Sequence, residues 1–155
     1  MTYNTIDTDS DVLDFVNNLA AIFEDNMERL RLAKIYKEDV SFVSATPSIA
    51  LSCTGVMPIR RTIGRTQARY TYNYYGEVWY YSRTMTADVH RNLVMSEASL
   101  IMRHMMENAT LNGWLRTREI SIRGCNWMPR IRSGVLYASA RIVLAAEFLT
   151  TVTSR

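Results

Sequence analysis

Seven aromatic residues stand within twelve positions of this 155-residue chain: Tyr70, Tyr72, Tyr74, Tyr75, Trp79, Tyr80 and Tyr81. The first half, Arg69-Tyr70-Thr71-Tyr72-Asn73-Tyr74, alternates strictly, and a period of two places the tyrosines on one face of a β-strand and the small polar groups on the other. After Tyr74 both parities turn aromatic. A strand wet on one face has no use for this, so the second half is expected to be covered on both sides, by its own domain or by another subunit.

A chain of this length fits one domain, and a single domain spanning residues 1–155 is expected, with a core large enough to need neither disulfide nor metal. No apolar run approaches the roughly 18 residues that cross a membrane, and Met1-Thr2-Tyr3-Asn4 lacks the basic and apolar segments of a signal peptide. A soluble, cytosolic protein is the expectation. Cys53 and Cys125 have no Cys or His at metal-binding spacing and are expected as buried reduced thiols.

The net charge of +3 is unevenly spread. Residues 1–39 hold nine acids against four bases, whereas residues 40–155 hold six acids against fourteen bases. Sixteen of the 18 basic residues are arginine, whose planar fork suits interfaces and phosphates, although a GC-rich coding sequence would enrich arginine equally well.

Asp7-Thr8-Asp9-Ser10-Asp11 offers helix caps, with acids suited to the positive end of the helix dipole. Val12, Val16, Leu19, Phe23, Met27 and Leu30 then step by three or four, predicting an amphipathic helix over about residues 10–36 with a candidate break near Glu24-Asp25-Asn26. The sheet and helix core is expected over about residues 47–150. Ile49, Leu51 and Cys53 alternate in a first strand that ends near Gly55, and the stretch from Met57 to Gln67, with Pro58, Gly64, Arg60, Arg61 and Arg65, reads as a basic loop. Such a loop is solvated, meets an acidic subunit neighbour or contacts nucleic acid.

Beyond Ser82 the period becomes 3.6, predicting a helix over about 87–112. Val94, Ala98, Ile101, Met105 and Ala109 make its core stripe. Leu93, Leu100, His104 and Leu111 form a second stripe, covered by the N-terminal helix or exposed for a partner. Ile120 and Ile122 mark a short third strand, and Gly124 to Pro129 a turn. Leu136, Ala138, Ala140, Ile142, Leu144, Ala146 and Phe148 keep one parity, so the alanine-rich final segment is predicted as a long strand rather than a helix.

No catalytic motif, phosphate-binding glycine loop or metal-ligand spacing occurs, and His90 and His104 are isolated on the predicted helix. No enzymatic activity, cofactor or metal is expected. An aromatic strand near arginines also suits a stacking platform for single-stranded nucleic acid, but here the arginines precede the strand, and tyrosines packed under a helix or at a subunit boundary fit the pattern better.

The resulting order is α-β-β-α-β-β, an α+β fold with a four-stranded, mostly antiparallel sheet flanked by helices. This order, the Arg69–Tyr74 ladder, the helix ending Met106-Glu107-Asn108-Ala109-Thr110-Leu111-Asn112-Gly113-Trp114 and the alternating final strand together resemble the tail terminator proteins of tailed bacteriophages, over roughly residues 10–150. The long N-terminal helix also leaves room for a head-completion or connector protein of the neck. The resemblance implies a homo-oligomeric ring, a hexamer, at the head–tail junction of the virion, assembled after synthesis in the host cytoplasm. Such a ring ends tail tube polymerisation and docks to the head connector or stopper, with the tube protein, in contractile tails a sheath, and genomic DNA crossing the lumen as partners. Tyr75, Trp79, Tyr81, Leu93 and Leu100 are the subunit-interface candidates. Arg60, Arg61 and Arg65 are assigned to the lumen or to a subunit contact.

Overall fold

The tyrosine-rich segment lies at the middle of the sheet. The computed structural model of the chain describes residues 8–64, 67–115 and 118–153, and side chains within those stretches at 12–58, 70–115 and 118–149. Its elements are α1 (Thr8–Glu24), α2 (Met27–Leu30), β1 (Lys34–Tyr36), β2 (Ser48–Ile63), β3 (Gln67–Thr84), α3 (Arg91–Glu107), β4 (Ile120–Trp127), β5 (Arg130–Arg132) and β6 (Val135–Thr153). The strand order is β1-β2-β3-β6-β4, with β5 pairing β6. Adjacent members of the four longer strands are antiparallel, while the short β1 runs parallel to β2, so the fold is α+β with a mixed six-stranded sheet.

The two added strands are each three residues long and were not predicted, because three residues are too few for a period to show. Other boundaries also moved. The helix expected to reach residue 36 stops at Glu24, restarts for four residues and ends where Arg31 adopts a left-handed conformation (φ 56°), which a right-handed helix cannot continue. The stretch expected as a basic loop is strand on both sides: β2 runs to Ile63 and β3 begins at Gln67, making a long hairpin. Pro58 is tolerated because β1 pairs β2 only over Ser48–Ala50, leaving the outer edge around Pro58 without a described ladder partner. The helix expected over 87–112 is shorter at both ends, and Leu111, Asn112 and Gly113, all at positive φ, bar its extension. The expected turn at Gly124–Pro129 begins later, since β4 continues to Trp127 through a register shift at Gly124.

Helices α1 and α3 cover one face of the sheet. Phe15, Leu19 and Phe23 of α1 and Ala98, Ile101 and Met105 of α3 are buried on Ile49, Leu51, Tyr74, Val78, Tyr80, Ile142 and Leu144. Each large apolar side chain buried in this way contributes on the order of 1.5–3 kcal/mol. The final segment is the strand its alternation predicted: Ala140, Ile142, Leu144 and Ala146 all face this core.

The opposite face carries a second, smaller cluster of Ala50, Trp79, Tyr81 and Tyr137 under Val43, with Val40 and Tyr36 beside them. The connection from β1 to β2 therefore covers the doubly aromatic end of β3. Both faces are dry there, as the two-sided aromatic pattern required, and the cover comes from the same chain.

Candidate functional site

A cleft of about 610 Å³ opens where α2, α3 and β3 meet. Its walls carry Arg29, Arg31, Arg83 and Arg103 against Glu97 and Glu107, with Tyr80 and His104 deeper and Leu100 at the wall. The helical period of α3 puts Glu97, Leu100, Arg103, His104 and Glu107 along one side, so a single helix face supplies most of the polar wall.

Glu97 organises one end. Its carboxylate accepts hydrogen bonds from the Tyr80 hydroxyl at 2.7 Å and the Ser82 hydroxyl at 2.7 Å, and is paired with Arg83. Burial, reinforced by the hydrogen bond to Glu97 and that group's negative charge, holds the Tyr80 phenol well above the usual tyrosine range. Tyr80 therefore remains a neutral donor.

His104 organises the other end. Arg29 donates Nη2 to its Nδ1 at 2.7 Å, and a guanidinium has no acceptor, so Nδ1 supplies a lone pair. The proton then sits on Nε2, which donates to the Ile22 carbonyl of α1. His104 is 2% exposed and is the neutral Nε2–H tautomer in this arrangement, a structural histidine that aims an arginine.

A raised tyrosine pKa has a definite stability consequence. Tyr80 and Tyr81 both ionise less readily in the fold than at the ordinary value of 10.0. Their stabilisation is complete below about pH 10 and is lost as pH rises past it, because the unfolded chain then releases protons that the folded chain holds. Tyr80→Phe should flatten the fall of unfolding free energy between pH 10 and 12 by up to about 1.4 kcal/mol per pH unit. Urea denaturation across that range measures it, and an unchanged slope would exclude Tyr80 as the titrating group.

On the opposite sheet face Arg130 lies over the Trp79 ring at 3.9 Å, donates to Tyr81 Oη at 3.1 Å and grips Asp39 with two bonds of 3.0 and 2.9 Å. Tyr137 meets Tyr81 edge-on at 5.6 Å. Burial pushes the Tyr81 phenol up, opposed by Arg130.

These contacts correct the interface candidates. Trp79 is 7% exposed and Tyr81 is fully buried, both beneath the chain's own β1–β2 connection, so neither offers surface to a neighbour. Tyr75 is half-buried, its hydroxyl receiving Asn73 at 3.4 Å. Leu93 and Leu100 are 48% and 52% exposed, whereas their stripe partners His104 and Leu111 are buried, so the second helical stripe divides between core and surface. Arg60 and Arg61 lie in β2 opposite Thr71 and Tyr70, at the far end of the hairpin, and Arg65 is outside the described residues. The arginine segment and the α3 leucines are thus separate features.

The cleft itself was missed. Its one available signal was Glu97, Leu100, Arg103, His104 and Glu107 at helical spacing. Cys53 and Cys125 are free and half-buried, with burial raising both thiols, so the expectation of full burial is corrected. Among the described residues no three His, Cys, Asp or Glu side chains are grouped to hold a metal ion, and no helix is long and apolar enough to cross a membrane.

Fold and cleft together define an α+β domain with an arginine-lined groove, an exposed leucine pair and a long basic hairpin. Comparison with protein-family models and with curated proteins gives no match for this chain.

Proposed function

We propose that the chain is a non-catalytic structural protein of a tailed-phage virion, forming a ring at the head–tail junction that ends tail tube assembly and docks the tail to the head connector. The observation carrying this reading is the exposed pair Leu93 and Leu100 on α3, seven residues apart on one helix face and left uncovered by the chain's own packing beside a basic cleft. Four long antiparallel strands with helices on one face agree with the family resemblance in the sequence, and the basic hairpin suits a lumen that DNA crosses.

Single-stranded nucleic-acid binding draws less support. Its platform would need exposed aromatics, yet Tyr74, Trp79, Tyr80 and Tyr81 are buried and Tyr70, Tyr72 and Tyr75 are half-buried.

Light scattering of the purified protein at low and high salt tests the proposal. A discrete oligomer is expected, dissociated by Leu93→Asp with Leu100→Asp at unchanged thermal stability, since truncated interface anchors cost about 2 kcal/mol or more each. A monomer at every concentration, binding oligonucleotide with a steep salt dependence, would overturn it.

A further inference from the structure

Three guanidinium groups at the cleft carry charge that no ion pair with a described residue cancels. Arg29 is held by a neutral imidazole, which positions it without neutralising it. Arg31 and Arg103 are exposed and in no such pair, whereas Arg83 has Glu97. With Glu107 the single remaining acid of the walls, the cleft keeps an excess of two positive charges.

Complementary charge lies at the far end of α1. Asp9, Asp11 and Asp14 fall in its first turns, and the exposed Leu13 stands beside Asp14, itself exposed. The C-terminal end of α1 adjoins the cleft, because the Ile22 carbonyl receives His104. At a rise of about 1.5 Å per residue, Asp9 and Asp14 lie about 20 Å and about 12 Å along α1 from Ile22, beyond the reach of an arginine side chain. A chain cannot bring these acids to its own cleft, but a second copy can.

We propose that the cleft formed by Arg29, Arg31 and Arg103 receives the acidic first turns of α1 from a second copy of this chain, with Leu13 of the incoming helix against the Leu93–Leu100 ridge. Donor and acceptor are different surfaces at opposite ends of one helix, so the contact is heterologous and repeats head to tail, as a closed ring requires. The inference supplies the proposed ring with its subunit contact and rests on that reading for the second copy.

Charge reversal tests it at Arg31 and Arg103, both exposed, and in the first turns of α1, where Asp14 is exposed. Arg31→Glu with Arg103→Glu should weaken self-association by about tenfold or more, and Asp11→Arg with Asp14→Arg should do the same. The four substitutions combined should largely restore it, as read by sedimentation velocity near the wild-type dissociation midpoint. Unchanged assembly after either reversal, or no recovery in the combination, would overturn the contact. If the wild-type chain is monomeric throughout, the ring fails and a labelled peptide of residues 7–18 decides the cleft separately. Binding to wild type that is lost in the Arg31→Glu, Arg103→Glu variant upholds acid recognition by the cleft. Absence of peptide binding, or binding of inorganic phosphate alone, overturns that too.

Discussion

Phe15→Ala is expected to destabilise the protein by about 3–5 kcal/mol, lowering the Tm by roughly 10–15 °C. Phe15 has no exposed surface and stacks on Tyr74 with ring centroids 5.5 Å apart and planes within 20°. Trp114 packs against both rings, 6.1 Å from Phe15 and 5.8 Å from Tyr74, so the cavity left by alanine would be walled by rings that have little freedom to collapse. A Cβ at Gly76 would lie 3.1 Å from two carbons of the Phe15 ring and 3.3 Å from the Ser52 carbonyl, so the aromatic ladder is interrupted at 76 to admit the ring. Gly76→Ala alone should cost about 1–3 kcal/mol, and much of that should vanish in the Phe15→Ala background. Urea denaturation of the four chains measures the coupling; strict additivity would mean that glycine is needed at 76 for another reason.

The second large effect is at Glu97. Glu97→Ala should cost about 2–3 kcal/mol, because it removes the acceptor shared by the Tyr80 and Ser82 hydroxyls, which lie on residues 4% and 2% exposed. Arg83 adds less, since its side chain is 43% exposed and its pairing is screened by water. Glu97→Gln keeps an acceptor oxygen for the hydroxyls and should recover about half of the loss. Glu107→Ala, on the same helix face but without a described partner, should change stability by no more than about 0.5 kcal/mol. Equal effects at 97 and 107 would show that the three-donor arrangement contributes nothing beyond surface charge.

The long elements were legible in the sequence because burial on one face writes its own period. Tyr70 to Tyr74 alternates along β3, where Tyr74 is buried in the core and Tyr72 packs against it, and Leu136 to Phe148 alternates although its alanines would suit a helix. The core stripe of α3 was legible for the same reason, with Val94, Ala98, Ile101 and Met105 all buried. What escaped lacks a period. Val40 and Val43 cover Trp79 and Tyr81 from an irregular connection, so the sequence announced that a cover was needed without saying that it was the chain's own. The cleft draws Arg29 and Arg31 from one short helix and its cap, Arg83 from a strand and Arg103 from α3, a convergence that only tertiary packing creates. Pro58 and Gly64 made the hairpin look like a loop, because a strand with an unpaired edge obeys weaker rules than a central one.

The central strand also sets the order in which this protein can come into being. One edge of β3 pairs β2 through a hairpin, but the other pairs β6, with Thr84 opposite Tyr137 and Gln67 opposite Thr153. Those partners are separated by 53 to 86 positions, so during synthesis the tyrosine strand waits with one edge bare until β6 has left the ribosome. Completing the sheet therefore requires a long-range pairing, and until it forms the bare edge of the aromatic strand is open to pairing with another chain.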